Sequence, residues 1–135
     1  MGRAGTESRA AITAPPAFIA SRNYFDRNSE GLYGLGEAPS VIERNDFVGN
    51  GNGIRLDQAY GMQLANNTFT NNSVGVRSSS GELHIAGCTF NTNDRNLVCD
   101  ITFATVEDNT FHGGENTSAS LFTYYDSGIY FANNT

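Results

Sequence analysis

Apolar positions along the chain come in short alternating pairs: Ile54/Leu56, Met62/Leu64, Leu83/Ile85 and Ala104/Val106. A period of two predicts half-buried strands, and the Asn- and Gly-rich stretches between them predict turns. The strands recur. Phe25, Phe47, Phe69, Phe90 and Phe111 follow one another at steps of 22, 22, 21 and 21 residues. Two residues before each stands Asn23, Asn45, Asn67, Cys88 or Asn109. Three residues after stands Asn28, Asn50, Asn72 or Asn93, with Gly114 breaking the series. Six after come Gly31, Gly53 and Gly75, then Asn96, followed in turn by Leu32, Ile54, Val76 and Leu97. An aliphatic residue (Ala20, Ile42, Leu64, Ile85, Val106) precedes each first Asn position by three. A sixth copy of the motif is expected to begin at Phe131 and Asn134.

Repetition at this period is the mark of a solenoid. Leucine-rich repeats need more leucines than the one or two found per unit here, and helical repeats need about 33 residues or more. An all-β parallel β-helix remains. It is expected to have about five coils of three short strands, stacked at ~4.8 Å. Each Phe then lies over its equivalent in the next coil, in an interior column worth roughly 1.5–3 kcal/mol per buried ring. The Asn before each Phe is expected in a tight turn, where Asn tolerates the left-handed region. Its amide is expected to bond the Asn of the next coil, as in the side-chain ladders of stacked strands. The glycines are read as turn residues.

Residues 1–17, ending near Pro15-Pro16, read as a poorly ordered lead-in, and residues 18–135 as the solenoid. Because the pattern stops mid-motif at "FANNT", the chain is expected to be a fragment of a longer β-helix. Self-association through uncapped ends is the alternative, since bare solenoid ends present unpaired strands.

Composition narrows the partners. The 135 residues carry a formal charge of -6, and the eight basic residues are all Arg. A negative surface argues against nucleic acid and against an anionic membrane, and no apolar run reaches the ~18 residues of a spanning helix. Cys88 and Cys99 are expected on different sides of the coil, too far apart for a disulfide. Two Cys and two His show no zinc spacing. The stretch "GNGNGIRLD" from Gly49 to Asp57 has the look of a calcium-binding nonapeptide but does not tile every nine residues. No cofactor is therefore expected; calcium stays open, with no motif that indicates it.

The pattern Ile-x-x-Asn-x-Phe-x-x-Asn-x-x-Gly-Ile-x-Leu resembles the right-handed parallel β-helix repeat of the pectate-lyase-like superfamily, over about residues 18–135. The most similar members are repeat regions of alginate epimerases, of alginate and chondroitin lyases, and of periplasmic β-helix proteins of the copper-insertion type. The resemblance implies an extracellular or periplasmic setting, although no signal peptide is visible. It also implies that the Gly-Ile-x-Leu strand forms the first sheet, the strand before Asn the second, and the Phe strand the third. The exposed face of the first sheet is where such proteins hold an extended sugar chain.

On that face Arg55 and Arg77 are expected side by side, with Tyr33 and Val98 in the same row. Asp57, Ser79 and Asp100 are expected in the next row, with Leu35. Arg55 and Arg77 suit an anion cradle for the carboxylates of an acidic polysaccharide, because Arg offers a bidentate fork. They also suit two solvated cations compensated by Asp57, Asp100 or Glu82. Tyr33 is the expected stacking platform for a sugar ring. The stretch "HGGENTSASLFTYYDSG" from His112 is expected to hold about four extra residues, the place where solenoids carry binding loops. His112, Glu115, Tyr124, Tyr125 and Asp126 mix imidazole, acid and phenol there. If the chain is catalytic, His112, Tyr124 and Asp126 are the residues expected to move a proton, as in a lyase or epimerase. His84, flanked by Gln63 and Thr105, has no evident orienting partner. Two functions follow: a carbohydrate-binding or carbohydrate-processing β-helix, or a non-catalytic structural or adhesive solenoid such as a surface or tail-fibre segment.

Overall fold

The computed structural model describes residues 9–13, 17–36, 39–113, 121–124 and 127–135. Three-residue strands carry the Phe positions: β3 (Tyr24–Asp26), β6 (Asp46–Val48), β8 (Thr68–Thr70), β10 (Thr89–Asn91) and β12 (Thr110–His112). They pair in parallel, in the order β12-β10-β8-β6-β3. The other strands form one nine-stranded parallel sheet. These are β1 (Arg9–Thr13), β2 (Ile19–Ser21), β4 (Glu30–Leu35), β5 (Val41–Glu43), β7 (Asn52–Ala65), β9 (Val74–Ala86), β11 (Arg95–Glu107), β13 (Leu121–Tyr124) and β14 (Gly128–Ala132). The chain is an all-β parallel solenoid, and like residues lie over like.

The Phe rings make the column that the repeat requires. Successive centroids from Phe25 to Phe111 are 4.9, 5.1, 4.7 and 4.8 Å apart, close to the strand spacing. Phe47, Phe69 and Phe90 are fully buried, packed with the aliphatic rows that include Ile42/Leu64/Ile85 and Leu32/Ile54/Val76/Leu97.

Two asparagine ladders run beside this core. In one, Asn45 donates both its backbone N–H (3.0 Å) and its Nδ2 (3.1 Å) to Asn67 Oδ1, and Nδ2 also donates to Ala20 O. In the other, Asn28, Asn50, Asn72 and Asn93 follow the same scheme, and Asn93 Nδ2 ends on Asn96 Oδ1 at 3.0 Å. The ladder Asn are buried, so these bonds satisfy amides that would otherwise be costly inside the protein.

The turn chemistry differs from the sequence reading. The ladder Asn are not the left-handed residues; the residue before each one is. Arg22, Arg44, Asn66, Gly87, Asp108 and Asn133 precede the first ladder, Arg27, Gly49, Asn71 and Thr92 the second, all with φ between 53° and 65°. The extended Asn behind each such corner is free to aim its amide along the solenoid axis. Gly31, Gly53 and Gly75 are not turn residues either. A Cβ on Gly53 would stand 2.6 Å from Gly75 O and 2.9 Å from Phe69 Cδ1, so close approach excludes a side chain.

The expected three strands per coil become two in the central coils, because the first and second run on as β7, β9 and β11, of 14, 13 and 13 residues. Each has a left-handed residue at its bend, Gln58 (51°), Ser80 (58°) or Ile101 (48°), and β7 has a second at Gly61 (70°). Strand β1 falls within the expected lead-in and pairs in parallel with β4, Ala11 opposite Tyr33, so the stacking begins before residue 18.

The last coil also departs from expectation. Phe131 pairs with Val106, not with Phe111, and Asn134 accepts from the N–H and Nδ2 of Asn109. Phe131 thus continues the aliphatic row, and Asn134 the first Asn ladder. This ladder step is 25 residues, against 21 from Cys88 to Asn109, a difference of four that matches the expected insertion. The Phe131 ring lies 6.0 Å from Phe111 at 28°, a looser stack than any within the true column.

Candidate functional site

Register sets the first-segment face. Tyr33, Arg55, Arg77 and Val98 lie side by side on β4, β7, β9 and β11, and so do Leu35, Asp57, Ser79 and Asp100. Both rows alternate with the inward Leu32/Ile54/Val76/Leu97 and Gly34/Leu56/Ser78/Cys99 rows, which is why a strand period of two puts them on the other face of the sheet, where Val98 alone of the first row is buried. Arg55, Asp57, Arg77, Ser79 and Asp100 line a cleft of about 360 Å³.

The two arginines repeat one geometry with different partners. Arg55 reaches back one coil to Glu30 at 3.1 Å and across to Asp57 at 3.1 Å. Partial burial works against its charge, but the hydrogen bonds and charges of Asp57 and then Glu30 outweigh this and raise its pKa. Arg77 reaches back in the same way, and its Nε donates to Asn52 Oδ1 at 3.2 Å. Asn52 is the register partner of Glu30, and Ser79 that of Asp57. The carboxylates around Arg55 are therefore a neutral amide and a hydroxyl around Arg77. Among the described residues Arg77 makes no ion pair.

Tyr33 does not stand open on both faces, since the Arg55 guanidinium carbon lies 5.6 Å from its ring centroid, within cation–π range. Asp100 Oδ1 is buried and has no hydrogen-bond partner among the described residues. Val98 is buried as well.

Of the residues expected to move a proton, His112 and Tyr124 have their backbones on different sheets. His112 ends β12 in the Phe sheet and is exposed, whereas Tyr124 pairs with Asp100 on the other sheet. Asp126, Glu115 and Tyr125 lie outside the described residues. In backbone register Tyr124 follows Asp57, Ser79 and Asp100.

His84 corrects another expectation. Gln63 and Thr105 are its register neighbours, yet its Nε2 lies 2.7 Å from Glu107 Oε1, one coil on and two residues further along. Sequence reasoning weighed only direct neighbours and so missed this diagonal partner, as it missed Glu30 for Arg55. For His84 the signal was an acidic residue at a diagonal position, two residues along in the next coil.

Cys88 and Cys99 are both buried free thiols. Burial pushes Cys88 up to about 11 and Cys99 to about 12, which keeps both protonated and unreactive at neutral pH. Among the described residues no three of His, Cys, Asp and Glu converge to hold a metal ion.

The chain belongs to the right-handed β-helix family: the model described as a right handed beta helix region matches residues 6–135. No curated protein and no solved structure matches the chain.

Proposed function

We propose that this β-helix binds an acidic polysaccharide along the first-segment cleft, in the manner of the pectate-lyase-like proteins that its repeat resembles. The observation that carries the reading is the unequal treatment of the two arginines. Arg55 is neutralised by Glu30 and Asp57, whereas Arg77 is oriented by Asn52 and, among the described residues, makes no ion pair. An oriented, uncompensated guanidinium in a cleft is a carboxylate receptor. Ser79 beside it can donate to a sugar oxygen. Arg55 then serves to shape the cleft rather than to bind charge.

The reading is of binding rather than of processing. The placement of the His112 and Tyr124 backbones on different sheets favours glycan binding over an epimerase or lyase reaction.

Calorimetry with a polyuronate oligosaccharide tests it. One charge-assisted hydrogen-bonded contact is worth about 1.5–3 kcal/mol, so Arg77→Ala is expected to weaken binding roughly 10- to 100-fold. Ser79→Asp, which gives Arg77 the carboxylate that Arg55 already has, is expected to do the same. Unchanged affinity in both variants contradicts the reading.

A further inference from the structure

A second groove, of about 720 Å³, lies around the bend from the cleft, on the outward face of the second segments of β7, β9 and β11 and of β14. That volume falls within the range of small-ligand sites. Its chemistry is unlike that of the cleft. Two large aromatic rings stand out from it, Phe103 at 61% exposure and Tyr130 at 63%, on a face where strand alternation puts polar side chains elsewhere. Between and beside them are Gln63, Glu82, Thr105 and the hydrogen-bonded pair His84–Glu107. No Arg lines it.

The rings are placed, not incidental. Phe103 is the register partner of Gly128, and a Cβ there would stand 2.8 Å from Phe103 Cδ1. The ring therefore lies across the bare backbone of the next coil and presents its other face outward. Tyr130 pairs with Thr105, diagonal to Phe103 on the same face, a separation that long aromatic side chains can bridge. At the far end the register slips by one residue between Ala59 and Met62, with Gly61 left-handed at 70°. Such a bulge re-aims neighbouring side chains, and Tyr60 there is exposed at 44%. From the coil of Gly61 to that of Gly128 is three steps, about 14 Å at the strand spacing.

We infer that this groove is a second glycan site, specific for an uncharged sugar chain. Flat apolar rings recognise the C–H faces of pyranoses, and carboxylate, amide and imidazole groups recognise their hydroxyls. Glu82 and Glu107 are strong acceptors for hydroxyl donors, while the same two charges repel a polyuronate. The groove thus selects against the ligand proposed for the cleft. The two sites lie on different faces, and neither inference needs the other.

The test is titration of the whole chain with a panel of uncharged hexose and pentose oligosaccharides, a polyuronate and an amine-bearing glucosamine oligomer. At least one uncharged oligosaccharide is expected to bind. Phe103→Ala and Tyr130→Ala, both at exposed positions, are each expected to weaken that binding about tenfold. Gly128→Ala, which keeps both rings but displaces that of Phe103, is expected to weaken it too. Arg77→Ala is expected to leave it unchanged, which separates failure here from failure at the cleft. Absence of binding by every uncharged member, binding only of the charged oligomers, or indifference to both ring deletions overturns the inference.

Discussion

Cys88 occupies the place that the other coils give to the first ladder Asn. Its Sγ lies 3.9 Å from Asn67 Nδ2 and 3.7 Å from Leu64 O, a weak copy of the amide's two contacts. Cys88→Asn would restore both, and it is expected to raise stability by about 1 kcal/mol in chemical denaturation. The variant also tests the thiol. With its folded pKa raised from 9.0 to about 11, Cys88 contributes stability that is complete below pH 9 and is lost as pH rises to about 11. Cys88→Asn is expected to lose less stability across that window than the wild type; an unchanged alkaline slope contradicts the assignment. Ile101 is the opposite case, a residue at odds with its backbone. It is β-branched, half exposed and left-handed at 48°, a conformation that costs an L-residue roughly 1–2 kcal/mol and that Asn tolerates. Ile101→Asn is expected to raise the melting temperature, by an amount corresponding to about 1 kcal/mol. The Cys88 defect was readable from the repeat alone. The Ile101 strain was not, because Gln58, Ser80 and Ile101 share no side-chain chemistry that would announce a bend.

At the level of the coil, glycine has two jobs. Gly49 turns a corner at φ 65°, with only Arg27 Cγ, at 3.6 Å, near a hypothetical Cβ. Gly53 instead lets the next coil come close. Gly49→Ala is expected to cost about 1 kcal/mol from the backbone alone. Gly53→Ala must also move Gly75 O or the Phe69 ring, and is expected to cost about 3 kcal/mol. Thermal melts of the two variants would show the difference; equal costs would mean that the close approach is relieved cheaply. The strand rows were legible because the step of 21 or 22 residues holds from Phe25 to Phe111, which fixes Arg55 beside Arg77 and Asp57 beside Ser79. Phe131 was misplaced because four extra residues put the aliphatic row, not the Phe row, at that point. A Phe followed three residues later by Asn reads the same in either frame. The diagonal partners were hidden for a related reason. A repeat alignment orders residues along one row, whereas Arg and His side chains are long enough to cross to the next.

Over the whole molecule, stacking turns a one-dimensional repeat into faces, and each face acquires its own chemistry. The first-segment face has one Arg in ion pairs and one that makes none among the described residues, whereas the second-segment face has aromatic rings and carboxylates. A net charge of -6 gives the chain no general attraction for an acidic polymer, so any such binding must be local to Arg77 and should weaken with added salt. The most direct measurement is an NMR titration of the ¹⁵N-labelled protein with a polyuronate oligosaccharide. The expected amide shifts cluster at residues 55–57, 77–79 and 98–100, leaving those around His84 and Phe103 in place. No shifts at millimolar ligand, or shifts centred on the His84–Glu107 face, would contradict the assignment of the acidic glycan to the Arg77 cleft.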